Sequence, residues 1–258
     1  MIWQRELHRF GEERVLHVAL PEGYHDRDAR YPVLVCLDAQ WTFGTVCDVA
    51  LNLGLARLLP RVIVVGVGWD TNAARQVTRL RAASLTPTPA VAPPFVASGT
   101  EGEVRGGGAG AFRDWLLGEA LPLIDATYRT QPAARTLIGH SLSALFGLDT
   151  LFCRPEAFSR WLLASPSIWW DDRVILAIEE RSRAEGVRLG GKVFLSVGSG
   201  EEGLGGMPMI TNARLMHDRL DRRRGETLEL TLAVLEGELH HSTIPAAVSR
   251  GLRWLYGF

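Results

Sequence analysis

Several sequence features that would assign a function are missing from this chain of 258 residues. No CxxC, no HExxH and no cluster of Cys and His at metal-binding spacing occurs, so the sequence predicts no metal site. No apolar run approaches the roughly 20 residues of a membrane-spanning helix. The three cysteines cannot all pair, and because they lie within apolar runs we expect Cys36, Cys47 and Cys153 to be free thiols in the core.

An excess of charge is also missing. The formal net charge is -1, whereas nucleic-acid and anionic-membrane binders need a strongly basic surface. Neither kind of partner is therefore expected, and a neutral or modest-sized substrate fits better. The first twenty residues carry charges every few positions and have no apolar core of signal-peptide length, which predicts a cytoplasmic protein. The sequence does not determine the oligomeric state.

What the chain does contain is an alternation of strand-like and helix-like segments. Residues 2–20 predict an antiparallel hairpin. Apolar runs typical of strands buried on both faces follow at 31–39, 61–69, 135–141, 160–167, 192–200 and 227–237. Helical spacing occurs at about 43–58, 109–127, 142–152, 171–185, 207–223 and 244–256. This alternation predicts one α/β domain over residues 1–258, with a central, mostly parallel sheet and helices on both faces.

One long segment interrupts the alternation. Residues 79–110 are rich in Pro, Gly, Ser and Thr, and a loop of that length in a compact domain is typical of a functional lid. Its GGGAG run lacks the Lys-Ser/Thr of a phosphate-binding loop, so we predict no nucleotide or other cofactor.

A serine lies where a predicted strand gives way to a helix, in the stretch LIGHSLSAL (137–145). A G-x-S-x-G nucleophile elbow needs a tight strand-to-helix turn with small residues around the serine. Gly139 is the first small residue, while Ser143 stands where the pattern has glycine. Ser141 is therefore the candidate nucleophile, with a turn serine as the alternative. We expect His140 to point away from it.

The histidine partner of such a serine follows the last strand. The stretch LAVLEGELHHS contains two adjacent histidines, and only one of them can aim at the serine. We favour His240 as the general base over His241.

The acid that orients the histidine should follow an earlier strand. Glu201, after VFLSVGSG, is the favoured residue, and Glu202 is its neighbour. Asp171 and Asp172, after the preceding strand, are rivals. A catalytic serine–histidine pair without an acid is a further alternative.

Two backbone N–H groups should stabilise the oxyanion. One belongs to Leu142, the residue after the nucleophile. The other should come from the loop after VLVCLDAQ, at Ala39 or Gln40. The sequence does not choose between these two residues, because a backbone N–H does not depend on side-chain identity.

Together these stretches resemble a known family. YPVLVCLDAQWTF, LTPTP, GGGAGAFRDWLLGEALPLIDATYRT, RTLIGHSLSALFGL, ASPSIWWDD and HHSTIPAAVSRGLRWLY are similar to the putative-esterase family of α/β hydrolases. The resemblance extends over roughly residues 5–257, and ASPSIWWDD is most like the branch of trilactone siderophore esterases. The resemblance implies that Ser141 is the nucleophile, His240 the general base and Glu201 the acid. The family's histidine is commonly followed by a small residue, whereas His241 follows it here, so His241 stays an alternative base.

Aromatic and basic residues suggest how a substrate could bind. Tryptophans that follow apolar strands could stack flat acyl groups such as catechols, or could simply cover the core: Trp41, Trp69, Trp169 and Trp170. Arginines that flank the long loop could bind an anionic substrate, or could be solvated: Arg79, Arg81 and Arg105.

The sequence thus favours a cofactor-independent serine esterase that acts on a small-molecule ester through an acyl-enzyme, with a siderophore trilactone as the expected substrate. An acyltransferase with the same nucleophile and a non-catalytic hydrolase-fold ligand binder are the alternatives.

Overall fold

The computed structural model describes residues 4–10, 14–71, 73–94, 96–97, 102–203, 206–225 and 227–258. Its strands are β1 (Gln4–Phe10), β2 (Arg14–Leu20), β3 (Tyr31–Leu37), β4 (Ile63–Trp69), β5 (Thr130–His140), β6 (Arg160–Ala164), β7 (Gly191–Gly198) and β8 (Leu228–Leu235). They form a sheet in the order β1-β2-β4-β3-β5-β6-β7-β8. The β1–β2 and β2–β4 pairs are antiparallel, and the pairs from β4 to β8 are parallel.

Helices cover both faces of this sheet. They are α1 (Ala39–Leu55), α2 (Ala74–Leu85), α3 (Ala109–Trp115), α4 (Leu121–Thr127), α5 (Leu142–Cys153), α6 (Trp170–Ala184), α7 (Met209–Asp221) and α8 (Thr243–Tyr256). A π-helical turn, Leu116–Ala120, joins α3 to α4. Short 3-10 turns lie at Pro155–Ala157 and Ser199–Glu201.

The alternation of side chains along each strand divides the core into two layers. On β3, Val33 and Val35 join the layer that packs on α2, α3, α5 and α6. Their neighbours Leu34 and Cys36 join the layer beneath α1 and α8. Because side chains of successive strand residues point to opposite faces, a continuous apolar run serves both layers at once. This explains why polar and apolar residues do not alternate along the central strands.

The α/β-hydrolase architecture predicted from the sequence is confirmed. The antiparallel N-terminal pair is present, although its turn at 11–13 lies outside the described residues. Within the described part of the chain, no helix has the length and apolar character to cross a membrane.

Four local expectations were wrong. The loop predicted from residue 79 starts later, because α2 continues to Leu85 and buries Val77, Ala82 and Leu85. The expected start of α6 is instead a left-handed turn at 171–173, where all three φ angles are positive. The edge strand β8 exposes part of one face instead of being buried on both. Finally, Cys153 is exposed, whereas Cys36 and Cys47 are buried as expected.

The parallel strands bring the candidate site residues to one edge of the sheet. Strands β5, β6, β7 and β8 are consecutive neighbours with the same direction, so the loops that follow them share that edge. Ser141 follows β5, Glu201 follows β7, and His240 lies between β8 and α8. Ligand sites of open α/β sheets lie outside the carboxyl ends of the strands.

We predict that Gly44→Ala stabilises the protein. Gly44 is an exposed residue inside α1, and a Cβ there would meet no atom within 4 Å. Because alanine loses less conformational entropy in a helix, the free energy of unfolding should rise by about 0.5–1 kcal/mol in urea denaturation. Gly251→Ala in α8 is the matched control, since its Cβ would meet Leu162 at 2.6 Å, and it should destabilise. A loss of stability in Gly44→Ala would contradict this account of α1.

Candidate active site

Ser141 occupies a strained turn between β5 and α5. Its φ is 62° and its ψ is -118°, a conformation that side chains rarely adopt. Gly139 permits this turn, because a Cβ at that position would come within 2.5 Å of the Ser143 carbonyl oxygen. The Ser143 hydroxyl donates to the carbonyl oxygen of His140 and accepts from its N–H, both at 2.8 Å. Serine at 143 therefore contributes to the elbow rather than disturbing it.

The Ser141 hydroxyl lies against the loop after β6. Its Oγ is 3.2 Å from the Oγ of Ser167, and the Ser167 N–H donates to the Ser141 carbonyl oxygen. Among the hydrogen bonds of the described residues, none joins Ser141 to His240. Sequence reasoning missed Ser167, although ASPS, with two small hydroxyl residues directly after a strand, was the signal that could have identified it.

Glu201 and His240 form a direct pair. The His240 Nδ1 is 2.6 Å from the Glu201 Oε2. The second carboxylate oxygen, Oε1, accepts from the Ser165 hydroxyl at 2.6 Å and from the Gly198 N–H at 2.7 Å. Glu201 is fully buried, and each of its oxygens has a donor. Sequence reasoning missed Ser165, which belongs to the same ASPS stretch.

This environment fixes the charge of Glu201 and the tautomer of His240. Burial raises the pKa of Glu201, but the hydrogen bonds from His240, Ser165 and Gly198 outweigh it, so that the pKa is lower than usual. An ionised carboxylate is only an acceptor, so a neutral His240 carries its proton on Nδ1. The lone pair of its Nε2 is then available to accept a proton.

His140 does not simply point away from the site, which corrects the expectation from the sequence. Its Nε2 is 2.7 Å from the carbonyl oxygen of His240, and the Thr243 hydroxyl donates to the same oxygen at 2.9 Å. The ring centres of His140 and His240 are 4.6 Å apart. Burial, followed by the nearby charges of His240 and Arg81, lowers the pKa of His140 well below its usual value. His140 is therefore neutral and donates through Nε2–H.

The rival residues have other surroundings. Glu202 accepts from the Ile210 N–H and from the N–H and hydroxyl of Thr211 at the start of α7. Asp171 and Asp172 are exposed in the left-handed turn. His241 is exposed, 5.3 Å from His240 between ring centres, and burial together with His240 and Arg81 lowers its pKa. Of the candidate acids and bases, the structure brings Glu201 and His240 into contact.

The three candidate oxyanion donors lie at helix starts. Leu142 begins α5, and Ala39 and Gln40 begin α1. The first N–H groups of a helix have no partner within the helix, so they are available to an anion. The residue before α1, Asp38, has a φ of 57° and accepts two hydrogen bonds from Arg81, at 2.6 and 2.8 Å. Both side chains of this ion pair are largely buried.

The four tryptophans divide into two pairs. Trp69 and Trp170 are buried in the core, and Trp170 donates through Nε1 to Thr88 of the long loop. Their burial agrees with the core-covering alternative. Trp41 is 46% exposed and Trp169 is half-buried, so these two are accessible to a ligand.

The arginines also differ. The Arg81 guanidinium lies 4.8 Å from the centre of the Trp41 ring while it pairs with Asp38. Arg79 is exposed on α2. Arg105 is exposed and pairs with Glu103. Thus Arg81 is the arginine that the fold directs toward Trp41 and the histidines. No group of His, Cys, Asp and Glu among the described residues is placed to hold a metal ion.

Comparisons with known proteins identify the family of this chain. A family model described as "Putative esterase" matches residues 8–216. The chain belongs to this family. It is 31% identical to the ferri-bacillibactin esterase BesA of Bacillus subtilis, over 94% of this chain and 85% of the relative. It is 26% identical to the siderophore triacetylfusarinine C esterase of Aspergillus fumigatus, over 95% and 89%.

Solved structures are also similar to this chain over nearly its whole length. The BES protein from Bacillus cereus has a TM-score of 0.81 and 28% identity, with 98% of this chain and 94% of that chain covered. An IroE-like serine hydrolase from Shewanella oneidensis has a TM-score of 0.83 and 25% identity, with 99% and 80% covered. Because the chain belongs to this family and its relatives are esterases, the protein is a carboxylic ester hydrolase.

We predict that the stability contributed by Glu201 is lost in acid. Because its pKa in the folded protein is lower than in the unfolded chain, the ionised carboxylate stabilises the fold above the unfolded value near 4.5. This contribution should disappear as the pH falls through the lower, folded-state pKa. The difference in unfolding free energy between the wild type and Glu201→Gln, measured in urea, should therefore be largest near neutral pH and shrink below about pH 4. Glu119→Gln, at an exposed glutamate whose carboxylate forms no ion pair among the described residues, is the control. A difference that is constant with pH would contradict the prediction.

Proposed function

We propose that this esterase is a serine hydrolase that cleaves siderophore esters, with Ser141 as nucleophile, His240 as general base and Glu201 as the orienting acid. The single observation that carries the catalytic assignment is the 2.6 Å contact between Glu201 and the Nδ1 of His240, at the sheet edge where Ser141 forms the strained turn. A buried carboxylate on Nδ1 is what an imidazole needs in order to act as a base through Nε2.

In the first half of the reaction, the Ser141 Oγ turns from Ser167 toward His240 and attacks the ester carbonyl carbon. His240 Nε2 takes the hydroxyl proton as the new C–O bond forms. The negative charge on the former carbonyl oxygen is stabilised by the N–H of Leu142 and by an N–H at the start of α1, from Ala39 or Gln40. The tetrahedral intermediate then expels the alkoxide, which receives the proton from His240. An acyl-enzyme and a free alcohol result.

In the second half, water attacks the acyl-enzyme. His240 Nε2 accepts a proton from the water, and the same N–H groups stabilise the second oxyanion. Collapse of this intermediate breaks the bond to Ser141 Oγ, which recovers its proton from His240. The carboxylic acid leaves, and the resting enzyme is restored without any cofactor.

Two features support a siderophore as the substrate. The relatives of similar length are named as esterases of ferri-bacillibactin and of triacetylfusarinine C. In addition, the exposed Trp41 ring, whose centre lies 4.8 Å from the Arg81 guanidinium, offers a flat surface next to the start of α1. A flat acyl group, such as a catecholate, would gain stacking there.

We expect Ser141→Ala to lose hydrolysis of p-nitrophenyl esters by about 10⁴-fold or more in kcat, with an unchanged Tm, because the nucleophile is removed while the turn is kept. The two histidines give a matched pair. His240→Ala should lose activity to a comparable extent, whereas His241→Ala should keep kcat within a few-fold of the wild type. Retained turnover in Ser141→Ala would overturn the nucleophile, and equal losses in both histidine variants would overturn the choice of base.

Trp41→Ala should raise the KM for a catecholate trilactone by about three- to tenfold, which corresponds to the loss of one aromatic contact. Activity on p-nitrophenyl acetate serves as the internal control and should change little, since this ester is too small to need the Trp41 surface. Product analysis by chromatography would follow opening of the trilactone. If the wild type hydrolyses simple esters but leaves every siderophore ester intact, the substrate class is wrong while the serine mechanism stands.

A further inference from the structure

A second concave site lies at the edge of the sheet opposite Ser141. It is an open cleft of about 740 Å³ between the end of α1, the loop before β4 and the last residues of the chain, with Leu51, Leu55, Arg57, Arg61, Tyr256 and Phe258 among its lining. We call it the α1 cleft. Its loop leads into the amino end of β4, whereas the active site lies at the carboxyl ends of the parallel strands. Its volume is within the range of small-molecule sites.

The lining of the α1 cleft is mainly apolar, and part of it faces solvent. Leu55 is 64% exposed and Phe258 is 61% exposed, and these two large apolar side chains border the same cleft. Exposed apolar surface that borders a concave site is typical of a place where an apolar ligand binds. Most of the other lining residues are aliphatic, which favours an alkyl chain over a flat ring system.

Two arginines give the cleft its polarity. Within the described part of the chain, the guanidinium groups of Arg57 and Arg61 form no ion pair, although the lining also carries two anions, the exposed Glu22 and the terminal carboxylate of Phe258. Because neither guanidinium is paired with these anions, both are available to a ligand with a negatively charged head. A guanidinium binds a carboxylate through two parallel hydrogen bonds, which suits a site at the rim of an apolar surface.

The backbone of Arg57 gives independent support. Arg57 follows the C-cap of α1 with a φ of 60°, its N–H donates to the Gly54 carbonyl oxygen, and the Leu58 N–H donates to that of Leu53. This is the Schellman arrangement, in which the left-handed position is usually glycine because a side chain is strained there. An arginine at this position costs stability, and no ion pair of its guanidinium among the described residues offsets that cost.

From this combination we propose that the α1 cleft binds a medium-chain aliphatic carboxylate. The alkyl chain lies along Leu51 and Leu55, and the carboxylate pairs with Arg57 and Arg61. The proposal is independent of the ester-hydrolase mechanism, because no residue of the α1 cleft belongs to the candidate active site.

Decanoate, used below its micellar concentration, tests the proposal with Arg57→Gly as the decisive variant. Without ligand, this variant should have a higher Tm than the wild type, because glycine relieves the left-handed strain. Its affinity for decanoate, measured by isothermal titration calorimetry, should nevertheless fall by about tenfold or more, the loss expected for one charge-assisted hydrogen bond. Opposite changes in stability and affinity would not result from general damage to the fold.

Arg61→Gln should weaken decanoate binding in the same way, while Arg188→Gln, at an exposed arginine outside the α1 cleft, should leave it unchanged. Decanol should bind more weakly than decanoate, and acetate should not bind measurably. The proposal is overturned if Arg57→Gly keeps the wild-type affinity or if decanol binds as tightly as decanoate.

Discussion

The hydrogen bonds of the buried Glu201 carboxylate are the constraint on which the arrangement at the sheet edge depends. A charge in an apolar interior is tolerated only when every acceptor position has a donor. Here the donors come from Ser165 after β6, from Gly198 at the end of β7 and from His240 after β8. One side chain therefore holds three loops in a fixed relation, and the requirement to satisfy its charge is also what orients the imidazole.

The neighbouring elements solve the complementary problem of holding a strained serine. The strained, positive-φ backbone of Ser141 persists because Gly139 leaves room, because Ser143 bridges the backbone of His140, and because Ala164 accepts from the Ser141 N–H. His140 extends this support to the loop of His240 through its contact with the carbonyl oxygen. Strain at one residue is thus balanced by contacts distributed over two strands and a helix.

The sequence predicted the elements whose signal is local or repeated. Continuous apolar runs identified the parallel strands, and the order serine, acid, histidine identified Ser141, Glu201 and His240 as candidates. It could not predict α2, whose apolar stripe is narrow and lies in a polar, proline-flanked stretch. Nor could it predict Ser165, Ser167 or the role of His140, because these contacts join positions between 26 and 100 residues apart. Burial of Trp69 and Trp170 depends on packing that periodicity does not encode.

The hydroxyl-to-hydroxyl contact between Ser141 and Ser167 has a consequence for the resting protein. A serine oxygen paired with another neutral hydroxyl stays an ordinary alcohol, because its proton is not yet in contact with a base. In the proposed mechanism, the Ser141 side chain must first rotate from Ser167 toward His240. An ester bound against the first N–H groups of α1 and α5 would favour this rotation. In the proposed mechanism, Ser167 is therefore the group that the Ser141 Oγ leaves before its proton can pass to His240.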